Sequence, residues 1–296
     1  MPKPWATLLA AAAAAVLAVG VYAAVRGSNA ARASHDPAAA ALPQAPGTGK
    51  AADVVAPGPR PAPVVHRPPG WHRAARVPLV IALHASGGTP ASFEAKSGWD
   101  AVADANGFIV AYLGSAAPAW KSPSNVAYIS AQIDRIRAQY NIDPTRVFVT
   151  GFSAGAYISY FVACRLSGKV TAVAAVSGGM LPQSCHLARP ISVLTIFGTH
   201  DIIPLSGTPR FPAPASVTAQ WRRRDRCKGG SRNATVGPAT QQVWRCAAGT
   251  KVGFYVISGG HHVYPGSEGL PAGDPDAQYN ASRQVWSFFR GLRSPG

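Results

Sequence analysis

Between residues 77 and 292, short continuous apolar runs alternate with longer segments whose apolar residues recur at helical spacing. Val77–Leu83, Phe108–Tyr112, Val147–Thr150, Val170–Val176, Val193–Phe197 and Phe254–Ile257 are too short for helices and too uniformly apolar for half-exposed strands. They read as strands buried on both faces, the habit of a parallel sheet covered by helices. Gly98–Asn106, Ala154–Leu166 and Ser282–Leu292 read as helices. Asn125–Tyr140 aligns Val126, Ile129, Ile133 and Ile136 on one stripe, with Asn125 as the expected cap. Asp143-Pro-Thr-Arg146 reads as the turn into the strand at Val147. The expected class is α/β, a mostly parallel central sheet flanked by helices, and ligands of such sheets sit beyond the carboxyl ends of the strands.

Before residue 71 the pattern is different. Trp5–Val25 runs 21 residues without a charge, and residues 1–33 are expected to be a secretory signal or a single membrane anchor. Its length favours the anchor; its Leu- and Ala-only stretch from Leu8 to Ala15 favours the signal. Residues 34–70, mostly Ala, Pro and Gly, read as a disordered or semi-extended linker. The folded domain is expected over 71–296. Either fate of the leader places that domain outside the cytoplasm, in the extracellular space or the cell envelope.

Composition narrows the picture. Apolar residues make 47% of the 296 residues and charged ones 14%, too apolar for a disordered chain and too few charges for a coiled coil. The chain carries 28 Lys and Arg against 12 Asp and Glu; six and two of these precede residue 71, so the excess belongs mainly to the folded part. A cluster at Arg222, Arg223, Arg224, Arg226, Lys228 and Arg232 reads as a solvated helix face and loop, or as a surface attracted to an anionic envelope. No zinc or helix-turn-helix pattern accompanies it, and nucleic acid is not an expected partner. Four cysteines in an exported chain suggest two bridges, with three pairings open; the nearest-neighbour pairing joins Cys164 to Cys185 and Cys227 to Cys246. No short Cys-x-x-Cys step is present, and neither a metal nor an organic cofactor is expected.

The chemistry concentrates at four loops. Gly151-Phe-Ser-Ala-Gly155 is weak as a bare pattern, but it sits between an expected strand and an expected helix. A chain reversing sharply there lifts Ser153 out at a strained point, beside the unpaired N–H groups of a helix start. A serine nucleophile needs a base, and the base an orienting acid. Asp201 follows the strand at Val193–Phe197, and His262 follows the strand at Phe254–Ile257 in a Gly-Gly-His-His loop. His200 and His261 adjoin these better-placed residues. The loop His84-Ala-Ser-Gly-Gly-Thr89 offers backbone donors at Ala85 and Ser86 to accompany that of Ala154. His84 is expected to order its loop, and His84, Trp99, Trp120 and Tyr264 are candidate pocket walls.

These residues together resemble the secreted esterases grouped with polyhydroxybutyrate depolymerases, feruloyl esterases and acetylxylan esterases. The matching motifs are Leu83-His-Ala85, Gly98-Trp99, Asp143-Pro-Thr-Arg-Val147, Gly151–Gly155, Gly198-Thr-His-Asp201 and Gly259-Gly-His-His-Val-Tyr-Pro-Gly266. The resemblance implies an α/β-hydrolase fold and a Ser153–His262–Asp201 triad, with His262 rather than His261 as base. It also implies the bridges Cys164–Cys185 and Cys227–Cys246, and ester cleavage outside the cell without a cofactor. The motifs are specific for the family and weak for the substrate; the substrate expected first is a polyhydroxybutyrate-type polyester or hydroxyacyl oligomer, and second a feruloyl or acetyl ester on a polysaccharide, and the protein is expected to be a monomer. The non-enzyme alternative is an envelope- or polymer-binding protein with an inactive triad. Three positions depart from the family pattern: Ala85 replaces a glycine, Ala156 replaces a glycine after the elbow, and Tyr264 replaces a tryptophan. An alanine held at positive φ would cost about a kilocalorie or more, so Ala85 bears on the oxyanion loop.

Overall fold

A computed structural model of the chain describes residues 60–116, 120, 124–179, 184–203, 205–208 and 212–295. The expected leader over 1–33 and most of the expected linker lie outside the described residues. Within them no helix is long and apolar enough to cross a membrane.

The described chain forms a nine-stranded sheet. In chain order the elements are β1 (Val64–His66), β2 (Val77–Leu83), α1 (Pro90–Ser97), α2 (Trp99–Asn106), β3 (Ile109–Leu113), α3 (Ser124–Tyr140), β4 (Ile142–Phe152), α4 (Ala154–Arg165), β5 (Ala172–Val176), β6 (Ser192–Gly198), α5 (Pro214–Arg224), β7 (Arg232–Val236), β8 (Ala239–Arg245), β9 (Lys251–Ile257) and α6 (Ala281–Phe289). The strand order is β1-β3-β2-β4-β5-β6-β9-β8-β7. The six strands from β3 to β9 run parallel, and β1, β8 and β7 pair antiparallel at the two margins.

The apolar runs build this sheet because both faces of each parallel strand find cover. Leu79, Ile81, Val147, Val149, Val173 and Val193 pack with the Ile129–Ile133 stripe of α3, with α4, and with Trp221 of α5. Their alternate neighbours Val80, Phe148, Ala174, Leu194 and Ile196 pack on the other side with Phe93, Trp99, Val285, Trp286 and Phe289 of α1, α2 and α6. The order reverses between β2 and β4, which opens a crevice at the carboxyl ends of the strands.

Some expectations shift. Val64–His66 lies in the stretch read as linker, yet it pairs with Val110–Tyr112 as an edge strand, so the fold begins before residue 71. The turn at Asp143–Arg146 lies inside β4: the register with β2 jumps from Val77–Ile142 to Leu79–Val147, and the Asp143 carboxylate accepts hydrogen bonds from the N–H and hydroxyl of Thr145. Asn125 is no cap, because α3 already starts at Ser124; its side-chain oxygen instead accepts from Arg60 at 2.8 Å. Both cysteine pairs close as the nearest-neighbour reading has them, Cys164 with Cys185 and Cys227 with Cys246.

Candidate active site

Ser153 stands between β4 and α4 with φ 53° and ψ −111°, a left-handed backbone costly for a residue with a Cβ. The surroundings hold it there. Its N–H donates to Val176 O at the end of β5, and its carbonyl accepts from Tyr157 in the first turn of α4. The reversal is so tight that a Cβ on Gly155 would overlap the carbonyl of Leu83 at the top of β2. Only glycine allows the helix to start that close to the neighbouring strand.

Two more strand ends meet this point. The loops after β6 and β9 are laced together: Thr199 N donates to Ile257 O, His200 N to Gly260 O, and Gly259 N to the Thr199 hydroxyl. A side chain on Gly198 would collide with the Gly260 backbone, so the contact requires glycine. The result brings Asp201 and His262 to Ser153. His262 Nδ1 lies 2.9 Å from Asp201 Oδ1, and Nε2 lies 2.9 Å from Ser153 Oγ. An ionised carboxylate can only accept, which puts the imidazole proton on Nδ1 and leaves Nε2 to accept from the serine hydroxyl.

The Asp201 side chain is fully buried. Burial pushes its pKa up, but the hydrogen bonds from His262 and from the Ile203 N–H, the nearby imidazole and the Ser177 hydroxyl together outweigh it, and the carboxyl ends below its usual range. It therefore remains an acceptor at neutral pH. His200 and His261 stay out of this chain of hydrogen bonds. They are exposed, and their rings meet edge-on with centroids 5.5 Å apart.

A cleft of about 390 Å³ opens beside His262. Ala85 and Ser86 line one side of it, Phe93, Phe152 and Tyr264 form an aromatic wall, and Lys96 and Glu268 also contribute. Phe152 packs 5.2 Å from the His262 ring and 5.9 Å from Tyr264. His84 borders the cleft but is only 2% exposed. Its Nδ1–H donates to Ala85 O at 2.7 Å, and its Nε2 accepts from the Ser115 N–H at 3.3 Å, which fixes a neutral tautomer. Burial lowers its pKa against the opposing effect of the Ala85 carbonyl. His84 thus orders its loop, as expected. Ala85 is not among the residues with positive φ, so its methyl carries no backbone penalty there.

Of the four expected pocket walls, His84 and Tyr264 border the cleft. Trp99 and Trp120 do not: both are fully buried, Trp99 against Phe108 and Trp120 with its indole N–H donated to His84 O. The size of an indole and its single donor suit a core position as well as a pocket, which is why sequence could not separate them. The Tyr264 hydroxyl turns inward. It donates to Ser282 Oγ, which in turn donates to Ser97 O, so the ring faces the cleft and the hydroxyl serves the core.

Sequence reading missed Phe93, Phe152 and Asp276. Phe152 was legible, since the residue before an elbow serine must sit at the strand tip. Asp276 carried no local signal. It is fully buried, its Oδ2 accepts the His261 N–H at 2.7 Å, and its carbonyl accepts from Gly266, so it spans both ends of the histidine loop. His261, Asp274 and Asp276 also bring potential ligand atoms within 4.8 Å of one another; among the described residues this is where a cation could be held. The basic cluster does not stay together. Arg222 stacks on Trp244 at 4.3 Å, and Arg232 stands apart on β7.

No family model matches the chain. Among curated proteins it is 27% identical over 225 residues to feruloyl esterase B of Piromyces equi, covering 68% of this chain and 42% of that one. It is 27% identical over 239 residues to a protein described as probable feruloyl esterase C of Aspergillus terreus, covering 77% and 83%. With poly(3-hydroxyalkanoate) depolymerase C of Paucimonas lemoignei the identity is 28% over 197 residues, covering 60% and 45%. The matched part is thus less than half of the Piromyces and Paucimonas proteins. An acetyl xylan esterase from Aspergillus awamori superposes with a TM-score of 0.58 at 15% identity, covering 77% of this chain and 93% of that one. The chain has the α/β-hydrolase fold, and its curated relatives include feruloyl esterases, a bifunctional acetylxylan esterase/xylanase and a poly(3-hydroxyalkanoate) depolymerase.

Proposed function

We propose that the chain is an exported serine esterase that hydrolyses carboxylic esters with Ser153, His262 and Asp201. The observation that carries this reading is the unbroken relay from Ser153 Oγ through the imidazole to a buried carboxylate, both links at 2.9 Å. His262 Nε2 takes the serine proton as Oγ bonds to the ester carbonyl carbon. Asp201 holds the ring and steadies the imidazolium that forms. The carbonyl oxygen, now an oxyanion, needs donors. One is the Ala154 N–H, which has no intrahelical partner at the start of α4. The other is the Ser86 N–H: the Ala85 carbonyl turns into its own loop toward Gly88 N and His84, and a trans peptide then aims the following N–H the opposite way. His262 returns the proton to the leaving alkoxide. Water, deprotonated by the same ring, then releases the acid and restores Ser153.

The acyl group we favour is a hydroxyacyl unit of a polyester. Ile202, beside Asp201, is 75% exposed, a large apolar side chain left in water where an apolar polymer would meet the acid loop. A second reading, a planar feruloyl-type acyl group, is supported by the three rings of Phe93, Phe152 and Tyr264 along the cleft. The two disulfides support an oxidising location outside the cytoplasm. Turnover of p-nitrophenyl acetate, hydroxybutyrate oligomers, methyl ferulate and acetylated xylan by the native protein and by Ser153→Ala tests both levels. All turnover should vanish in the variant while its circular dichroism is unchanged. Retention of most activity by Ser153→Ala would end the triad reading, and hydrolysis of methyl ferulate alone would decide against the polyester.

A further inference from the structure

Four basic side chains converge at the margin of the sheet far from Ser153. Arg232 of β7, Arg245 of β8, Lys251 of β9 and Arg290 just beyond α6 line a groove of about 510 Å³, and no Asp or Glu is among its lining residues. The register concentrates the charge. Arg245 and Lys251 are direct partners across the β8–β9 ladder, while Arg232 pairs with Val243 and is therefore the diagonal neighbour of Arg245. Like charges placed opposite each other oppose strand pairing.

Local structure accounts for only two of the four. The Lys251 amine donates to Phe288 O at 3.2 Å, and Arg290 follows the last turn of α6, so both complement the helix carboxyl end. Arg232 and Arg245 are exposed, and no ion pair among the described residues involves either. The floor between them includes Ala234, Val243 and Phe288. An apolar floor beneath cations of one sign strengthens their field on an anion.

We propose that this groove docks a linear polyphosphate-type polyanion, a chain of repeating phosphate groups. A concave trough between α6 and a sheet edge follows a strand-like polymer and does not conform to a flat bilayer. The strand-borne cations of the groove also gather toward the end of β9 remote from the reacting groups. Lys251 opens that strand, His262 follows its far end, and the strand between spans roughly 20 Å. A bound polymer therefore leaves the cleft free, and docking holds the protein on an anionic matrix while substrate still enters.

The test uses fluorescent inorganic polyphosphate, with binding followed by anisotropy over a salt series. The native protein should bind with an affinity that falls linearly on a log–log salt plot, as counterion release requires. Arg232→Gln/Arg245→Gln should bind at least tenfold more weakly, with a shallower salt slope. Arg223→Gln/Arg226→Gln removes the same charge from exposed positions in and after α5 and should stay within twofold of native. Saturating polyphosphate should leave p-nitrophenyl acetate turnover unchanged. Equal losses in the two variants would mean attraction to net charge alone and would overturn the groove. Three other results would also overturn it: no polyphosphate binding by the native protein, competitive inhibition of turnover, or tighter binding to phosphatidylglycerol vesicles that the same double variant abolishes. The binding arms do not depend on esterase activity, so failure of the proposed chemistry would be seen separately.

Discussion

Asp201 gains its ionised state from partners rather than from solvent. An amide at this position keeps the size and loses the charge, and it can present an N–H to Nδ1, favouring the wrong imidazole tautomer. Asp201→Asn is therefore expected to lower kcat for p-nitrophenyl acetate by about 10³–10⁴ with KM nearly unchanged. A loss below tenfold would show that the carboxylate does not serve the histidine. The linkage has a definite sign. The folded carboxyl titrates below the unfolded value of about 3.9, so its contribution to stability is complete above that pH and is lost as pH falls through the folded value. Denaturant midpoints measured from pH 5 down to pH 2 should fall more steeply for the native protein than for the asparagine variant. Asp276 acts one step removed, through the His261 N–H. Asp276→Ala should reduce kcat more than it raises KM, because it loosens the loop that carries His262. Asp276→Asn, which keeps an acceptor oxygen, should recover most of that loss; identical defects in both variants would assign Asp276 to folding alone.

At the level of elements, legibility followed burial. Val77–Leu83 was bounded correctly because every residue after Val77 is buried, and the runs at 108–112 and 193–197 shifted by a single residue at their ends. The marginal strands could not be read the same way. Arg232–Val236 is mostly exposed, and Ala239–Arg245 carries Thr240, Gln241 and Gln242; their order comes from backbone pairing, which leaves little trace in side-chain hydropathy. Helix α1 holds a single apolar anchor of any size, Phe93, yet its start was written in the sequence: Thr89 and Ser92 form a reciprocal capping box with Pro90 at the first position. The end of α5 stores an electrostatic cost. Asp225 is fully buried where the helix carboxyl end already repels an anion. Burial pushes its pKa up to about 7 against the pull of the Ile191 N–H and of Arg224. With the folded value raised, its contribution to stability is full below about pH 4 and is lost as pH rises through 7. Asp225→Asn mimics the neutral acid. It should raise Tm at pH 8 and leave Tm at pH 4 nearly unchanged in differential scanning fluorimetry; an equal drop at both pH values would contradict a neutral carboxyl.

For the whole molecule, the sheet is a frame that delivers three distant strand ends to one place. Ser153, Asp201 and His262 follow β4, β6 and β9, and the lacing between the last two loops sets their spacing. The order of motifs along the chain made this assembly legible, since each sat at the end of an apolar run. Distances and the direction of side chains were not legible, as the inward Tyr264 hydroxyl and the buried Trp99 and Trp120 illustrate. The bridge Cys227–Cys246 ties the end of α5 to the end of β8 through 19 residues of chain. Replacing both cysteines by serine should cost about 3 kcal/mol, or roughly 6–12 °C in Tm, with turnover at 25 °C preserved. The most direct measurement is intact-mass analysis after exposure to a fluorophosphonate. One adduct should form per native chain, on the peptide carrying Ser153, and neither Ser153→Ala nor His262→Ala should take it up at a comparable rate. A folded native protein that stays unlabelled, or a label on another residue, would contradict the serine–histidine–aspartate chemistry.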